Sequence, residues 1–253
     1  MSHYLAFLKK EVMEGFRTYK VLIMVLVFAA FGILSPLTAK MTPVLLDALA
    51  EEFTISLPEP AAIDSWTQFF KNIAQMGIIV VVIVFGGILA TELSRGTLIN
   101  MLTKGLSRVA VILSKYTYMV LIWTVCLLIC FIITFAYTSY LWPNDEVRNL
   151  VFSVFCLWLF GVFILSILLF SATLVRGMSG CLLMTGGSIV VMLIISIWPA
   201  VEKYNPLSLA SFNVQLLMDT YKVTDLFWSI GVAAVLSVIF VTTSIILFRK
   251  KQL

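Results

Sequence analysis

Six long stretches without a charged residue constrain this chain more than any other feature of its sequence. They are residues 21–39, 72–91, 116–144, 149–175, 177–201 and 226–248. An α-helix rises 1.5 Å per residue, so roughly 20 residues cross the hydrocarbon core of a bilayer. The third stretch is too long for an upright span and should tilt or project beyond the lipid. The sequence therefore predicts an all-α integral membrane protein with six transmembrane helices.

The composition supports a membrane location. Hydrophobic residues make up 61% of the chain and charged residues only 12%, whereas soluble domains carry about 25% charged residues. So much apolar surface cannot be buried in one water-soluble core. The net charge is +4, but the basic residues flank apolar stretches. They therefore indicate orientation in the membrane rather than nucleic-acid binding.

Lysine and arginine divide unequally between the two sides of the predicted bundle. Twelve lie on one side: Lys9, Lys10, Arg17, Lys20, Arg95, Lys104, Arg108, Lys115, Arg176, Arg249, Lys250 and Lys251. Five lie on the other: Lys40, Lys71, Arg148, Lys203 and Lys222. The richer side is expected to be cytoplasmic, with both termini there. Four tryptophans near the predicted outer ends agree with this orientation, namely Trp66, Trp142, Trp198 and Trp228.

The N-terminal segment 2–20 has the pattern of an amphipathic helix. Its apolar residues recur at helical spacing and form one stripe: Leu5, Leu8, Val12, Phe16 and Tyr19. Its basic residues lie largely off that stripe, so we expect an interfacial helix with the basic face toward the headgroups. It is either a plain surface anchor or an anchor that also contacts a cytoplasmic partner. No signal-peptidase pattern follows, which predicts an uncleaved first span.

The rest of the chain predicts one transmembrane domain over 1–253 with short connections. The longest outer segments are 40–71, with a short helix expected around 43–53, and 202–225. Pro36, Pro143 and Pro199 fall near predicted span ends, where a missing N–H costs least. The four cysteines lie in apolar stretches and are interpreted as small buried hydrophobic residues.

The largest inner loop, 92–115, contains a second helical pattern. Gly96 is expected to turn the chain, Thr97 to cap a short helix at 98–104, and Gly105 to end it with left-handed backbone. Leu98, Met101 and Leu102 would then form an apolar patch facing the cytoplasm. Such a patch favours a binding partner, although an ordinary loop lying on the headgroups is the alternative.

The same loop carries a motif. It reads Glu-Leu-Ser-Arg-Gly-Thr at 92–97, then Leu102-Thr103, then Leu106-Ser107-Arg108, then Leu113-Ser114-Lys115. This pattern resembles the ABC-2 type permeases, as do the six-span plan, the N-terminal helix and Tyr204-Asn205-Pro206-Leu207. The segment Lys104-Gly105-Leu106 departs from the family, where many members have proline.

The resemblance implies the membrane subunit of a bacterial ABC exporter in the cell membrane. Such permeases work as dimers with a second copy or a paralogue, and each half docks a separate cytoplasmic ATPase. By position, the loop 92–108 becomes the coupling loop. The residues that become candidate ATPase contacts are Glu92, Arg95, Thr97, Leu98, Met101 and Leu102. ATP and Mg would be bound by the partner, and this chain, which has no G-x-x-x-x-G-K-[ST] phosphate loop, is expected to need no cofactor.

Small residues mark the second and fifth spans, which line the pathway at the dimer centre in the resembled family. They are Gly86 and Gly87 in the second span and Gly180, Gly186 and Gly187 in the fifth. Small residues let helices approach closely. They serve either packing within one subunit or the dimer axis and translocation path.

Catalytic chemistry is not indicated. The single histidine, His3, excludes histidine-based metal or serine proteases. The predicted spans hold no aspartate for an aspartyl protease and no ionisable residue for an ion-coupled carrier. We therefore expect a non-enzymatic permease for an amphipathic or hydrophobic substrate, with peptide favoured and lipid or drug as alternatives. A non-transporting scaffold or immunity protein is the competing class, since it would not need the 92–108 loop.

Overall fold

The computed structural model describes residues 3–49, 59–90, 92, 96, 98, 103, 105–143, 147–175 and 177–250. Within these residues the chain forms helices and turns and no strands. The helices are α1 (His3–Arg17), α2 (Lys20–Leu49), α3 (Ala62–Asn72), α4 (Ile78–Phe85), α5 (Arg108–Leu141), α6 (Leu150–Leu174), α7 (Met178–Ile195), α8 (Pro199–Glu202), α9 (Ser208–Ser211), α10 (Asn213–Leu217) and α11 (Phe227–Lys250). A π-helical turn, Ile73–Gly77, joins α3 to α4.

Six helical segments in the described residues are long and apolar enough to cross a membrane. They are Lys20–Pro43, Ala62–Phe85, Arg108–Leu141, Leu150–Leu174, Met178–Ile195 and Val223–Lys250. The predicted fold class, an all-α protein with six membrane-spanning helices, is confirmed. The side on which the termini lie stays a prediction. We call the end that carries α1 and the start of α5 the α1 end, and the opposite end the far end.

The first span continues past its predicted end. Helix α2 includes both Pro36 and Pro43, so the first span does not end at 39. The residues of the helix expected around 43–53 are helical as far as Leu49, but they continue α2 instead of forming a separate helix. Pro36 has no N–H for the carbonyl of Gly32. The hydroxyl of Thr134 on α5 donates to that carbonyl instead, at 3.2 Å. The polar group stays paired, and the helix continues through the proline.

Other span limits differ because charged residues do not end these helices. Helix α3 begins ten residues before the predicted second span; its side chains Trp66 and Phe70 are buried while Lys71 is exposed. Helix α5 begins at Arg108 rather than 116 and includes the buried Lys115. Because the predicted spans were limited to residues without charge, the starts of the second and third spans were predicted too late.

Helix α6 lies at the centre of the bundle and packs against α5, α7 and α11. Gly161 makes the α5 contact possible, because a Cβ there would lie 2.2 Å from the ring of Trp123. The indole N–H of Trp123 donates to the Trp158 carbonyl at 3.0 Å, and that of Trp158 donates to the Thr124 hydroxyl at 2.8 Å. All four cysteines are buried and free, as the sequence predicts.

The fifth span ends at Ile195 rather than 201, and the chain folds back toward the bundle. Asn205 is buried and its side-chain N–H₂ donates to the Met192 carbonyl at 2.8 Å. Helices α9 and α10 then pack against α6. The segment 199–217 therefore covers part of the far end.

Candidate functional site at the α1 end

Five charged side chains from three parts of the chain meet at the α1 end. Helix α1 supplies Lys10, Glu11 and Glu14, the loop supplies Glu92, and α5 supplies Lys115. We call these residues the charge cluster. The Lys115 ammonium lies 2.9 Å from a Glu11 oxygen and 2.6 Å from a Glu92 oxygen. The Lys10 ammonium lies 3.1 Å from Glu11 and 2.7 Å from Glu14, and it also contacts Glu92.

The innermost pairs of the cluster are almost completely removed from solvent. Lys115 is 1% exposed, and Glu11 and Glu92 are also buried. The Lys115 ammonium has a further acceptor in the Ile88 carbonyl, at 3.0 Å. Buried charges are tolerated only when they are paired and hydrogen-bonded. Each partner therefore depends on the others, and α1 is tied to the loop and to α5 through them.

Packing beneath the cluster supports both ammonium groups. The ring of Phe7 is buried, with its centroid 5.0 Å from the Lys10 nitrogen and 5.6 Å from the Lys115 nitrogen. An aromatic face at this distance attracts a cation. Phe7, Glu11 and Gly15 follow one another at a spacing of four, which places them on one face of α1.

Two groups of the cluster that lie outside the spans have shifted pKa values. Burial alone would lower the pKa of Lys10, but hydrogen bonds to Glu14 and Glu92 and the charge of Glu11 outweigh it and raise this pKa. Burial would raise the pKa of Glu14, but the hydrogen bond and charge of Lys10 lower it below its ordinary value. Both shifts favour the charged forms that hold the cluster together.

Polar contacts extend the attachment of α1 along α5. The Tyr4 hydroxyl donates to Thr117 at 2.9 Å, and the Ser114 hydroxyl donates to the Tyr4 carbonyl at 3.1 Å. At Gly15 a Cβ would lie 1.9 Å from the Tyr118 hydroxyl oxygen, so only glycine permits this approach. Helix α1 thus docks on the bundle as well as having a membrane-surface pattern.

The predicted apolar stripe of α1 mostly faces outward. Leu5, Phe16 and Tyr19 are exposed, and Leu8 and Val12 are half-buried. An outward apolar stripe fits the expected interfacial helix. However, Lys10 and Glu14 do not sit on a free polar face, since both are held in the charge cluster.

Two predicted ATPase contacts lie elsewhere than expected. Glu92 is buried in the charge cluster, and Leu98 is 1% exposed within the hydrophobic core. The prediction that Leu98 belongs to an exposed patch is wrong, and neither side chain offers a free contact surface. Burial of a leucine side chain stabilises the folded state by about 1.5–3 kcal/mol. This gain explains why Leu98 is buried within the subunit.

The remaining loop predictions divide between described and undescribed residues. Leu98 and Thr103 are helical, and Gly96 and Gly105 have positive φ values of 67° and 91°. The left-handed backbone predicted at Gly105 is therefore confirmed. The other candidate contacts lie outside the described residues and stay predictions: Arg95, Thr97, Met101 and Leu102.

The candidate glycines separate into two groups. A Cβ on Gly86 would lie 2.6 Å from Leu182 of α7, and one on Gly180 would lie 2.3 Å from Val175. Gly87 is buried beside the charge cluster. The close approaches at Gly86 and Gly180 therefore serve packing within the subunit.

Gly186 and Gly187 form the second group. A Cβ on either would meet no atom within 4 Å. Successive residues of an α-helix are rotated by about 100° around its axis. This rotation places both glycines away from the side of α7 on which Cys181, Thr185 and Met192 are buried. Within the described chain, the space beside these two glycines is open to another helix or to lipid.

The three carboxylates of the cluster do not form a free metal site. Their oxygens lie within 4.8 Å of one another, but Lys10 and Lys115 already bind them. A cavity of about 40 Å³ adjoins them, bordered by Gly15 and Tyr118. Among the described residues the buried Tyr118 hydroxyl has no hydrogen-bond partner, and this space is large enough for a water molecule to satisfy it.

Comparison with known protein families assigns the chain to one family. Residues 51–253 match the model of the DUF2705 family, described as a protein of unknown function. The chain belongs to the DUF2705 family. Comparison with curated proteins finds no match. The DUF2705 match includes Glu92 and Lys115 of the charge cluster, whereas Lys10, Glu11 and Glu14 precede it.

Sequence reasoning missed the charge cluster because it treated Lys10 and Lys115 as markers of orientation and Glu92 as an ATPase contact. A usable signal was present. Glu92 and Lys115 border neighbouring apolar stretches at the same predicted end, and α1 carries basic and acidic residues one turn apart. Charges that share an end of a membrane bundle are candidates for pairing, because each is costly there alone.

Proposed function

We propose that this chain is the membrane subunit of an ATP-driven ABC exporter in the cell membrane. It would move an amphipathic or hydrophobic substrate, with peptide favoured and lipid or drug as alternatives, out of the cytoplasm or the inner leaflet. Two copies, or this chain and a paralogue, would work with two separate ATPase subunits. The α1 end would then be the cytoplasmic end.

The charge cluster is the observation that carries this proposal. An exporter without its own ATPase must transmit the conformational change of the partner ATPase to its own membrane spans. The cluster joins α1, Glu92 at the start of the loop and Lys115 in the third span through contacts of 2.6–3.1 Å. Displacement of the loop would therefore move α1 and α5 with it. A scaffold or immunity protein has no need of such a connection.

The open face of α7 supports the dimer. Gly186 and Gly187 have no neighbour within Cβ reach among the described residues, and small residues allow close helix approach in membranes. A second permease chain packed there would bring two α7 helices together. This is the arrangement expected of a pathway between subunits.

Export can be tested without knowing the cargo in advance. Culture media from the host and from a strain lacking this chain would be compared by mass spectrometry for peptides and lipids. We expect an amphipathic compound to disappear from the deletion medium and accumulate in the cells. Complementation with wild type should restore it, whereas Lys115→Met should not. Identical extracellular and cellular profiles in the two strains would contradict the proposal.

A further inference from the structure

A large apolar pocket opens between three spans on the far-end side of the bundle. Its volume is about 380 Å³, within the range of ligand pockets. Helix α6 provides the floor through Phe163 and Ile167. Helices α7 and α11 form the walls, with Met192 on the first and Phe240 on the second. The walls stand apart because both helices pack on α6.

The segment that follows α7 folds back toward the bundle. Its residues Tyr204 and Asn205 close the pocket on the side of the far end. The side chains of Asn205 and Ser188 in the lining are hydrogen-bonded within the protein. Asn205 donates to the Met192 carbonyl at 2.8 Å and accepts from the Leu207 N–H at 3.1 Å. Ser188 donates to the Met184 carbonyl at 2.9 Å. Because these groups need no further partner, the pocket favours hydrocarbon over water.

The rim of the pocket has the chemistry of a headgroup layer. Trp228 is exposed, and its ring lies 5.8 Å from that of Tyr204, which lines the pocket. The exposed Lys203 holds its ammonium 5.0 Å from the Tyr204 ring. Aromatic rings of this kind sit at membrane interfaces, and lysine near the surface attracts anionic headgroups.

We propose that this pocket binds one acyl chain of an anionic phospholipid, whose phosphate lies against Lys203. The pocket lies between membrane spans, where acyl chains are the abundant apolar molecules. The cation on its rim then selects among lipids by charge. The lipid would bind whether or not the chain transports, and it would fill the space that separates α7 from α11.

Photocrosslinking in vesicles tests this site. The full-length protein would be reconstituted in phosphatidylcholine containing a trace of phosphatidylglycerol with a diazirine on its acyl chain. Labelled peptides would be mapped by mass spectrometry. We expect labelling to concentrate in residues 188–206.

Two adjacent valines provide matched variants. Val190 and Val191 are each 54% exposed, but only Val191 lines the pocket. Val191→Trp should fill the pocket and remove most of the labelling, and Val190→Trp should not. Equal labelling of the two variants would overturn the proposal, since it would show general contact with lipid.

A second arm tests the headgroup. With a diazirine phosphatidylcholine probe, wild-type labelling should be about fivefold weaker than with phosphatidylglycerol, which is the preference that one lysine provides. Lys203→Gln should make the two probes equal. If wild type does not distinguish the probes, the anionic assignment is wrong.

Discussion

Lys115 shows how one residue can carry a structural role that a hydropathy pattern conceals. It lies within an apolar helix, 104 residues along the chain from its partner Glu11. Local sequence therefore gives no indication of that pairing. In the structure, Lys115 joins the carboxylates of Glu11 and Glu92 in a nearly dry environment, so its removal takes an ion-pair partner from both.

Lys115→Met should destabilise the protein by about 3–5 kcal/mol, the usual cost of leaving a buried charge without its partner. Adding Glu92→Gln removes one of the two carboxylates that lose Lys115 as a partner. The double variant should therefore recover about 0.5–3 kcal/mol of that loss. Reversible unfolding in mixed micelles measures both values. Lys9→Met is the control, because Lys9 is exposed. A Lys115→Met protein as stable as Lys9→Met would contradict the pairing.

The pKa shifts predict how the docking of α1 depends on pH. The pKa of Glu14 is lowered from 4.5, so its contribution is complete above pH 4.5 and is lost as the pH falls through the lowered pKa. The pKa of Lys10 is raised from 10.5, so its contribution is complete below pH 10.5 and is lost as the pH rises through the raised pKa.

A spin label at Met13, which is exposed, measures this docking. The label should be least mobile between pH 4.5 and 10.5 and more mobile outside that window. Lys10→Met should loosen α1 at neutral pH and abolish the alkaline transition. A label whose mobility is the same at all these pH values would show that the cluster does not hold α1.

At the scale of the element, the six spans were predictable and their limits were not. Long apolar stretches decide that a helix crosses the membrane, because the backbone must satisfy its own hydrogen bonds in lipid. Where the helix ends depends on tertiary partners. Lys71 and Lys115 lie inside helices, and Pro36 lies within α2 because α5 supplies the missing donor.

The Thr134 hydroxyl should contribute most to stability while position 36 is proline. Thr134→Val leaves the Gly32 carbonyl unpaired and should cost about 1–3 kcal/mol. With Pro36→Ala the backbone N–H returns, and the same change should then cost less. A double-mutant cycle in micelle unfolding measures the difference. Equal costs in the two backgrounds would contradict the proposed compensation.

At the scale of the whole molecule, the candidate glycines show where sequence reasoning reaches its limit. Gly86 and Gly187 both lie in apolar spans beside another glycine. Only packing distinguishes them, since Leu182 fills the space beside Gly86, whereas no residue in the described part of the chain fills that beside Gly187. Patterns of small residues predict close contacts, but they do not say which helix makes them.

Leucine substitutions separate these two roles. Gly187→Leu, like Gly186→Leu, should leave the subunit as stable as wild type but reduce its dimer content and its export activity. Gly86→Leu should destabilise the subunit by about 1–3 kcal/mol through overpacking. Light scattering in mild detergent and unfolding measurements distinguish the outcomes. If Gly187→Leu had the dimer content and export activity of wild type, α7 would not lie at the dimer axis.

The proposal of an ABC permease rests on a separate ATPase that contacts the loop. Leu98 is unsuited to test that contact, because an aspartate at this buried position would disrupt the fold. Met101 is the better position, being a predicted contact. Met218→Asp makes the same chemical change at an exposed position of the far end and serves as the control.

The most direct measurement is purification of the tagged protein from its host membranes in mild detergent, with mass spectrometry of the proteins that accompany it. We expect an ABC ATPase to accompany wild type and Met218→Asp and to be lost from Met101→Asp. If no ABC ATPase accompanies wild type under conditions that keep known ABC complexes intact, the permease proposal is wrong and a scaffold or immunity role takes its place.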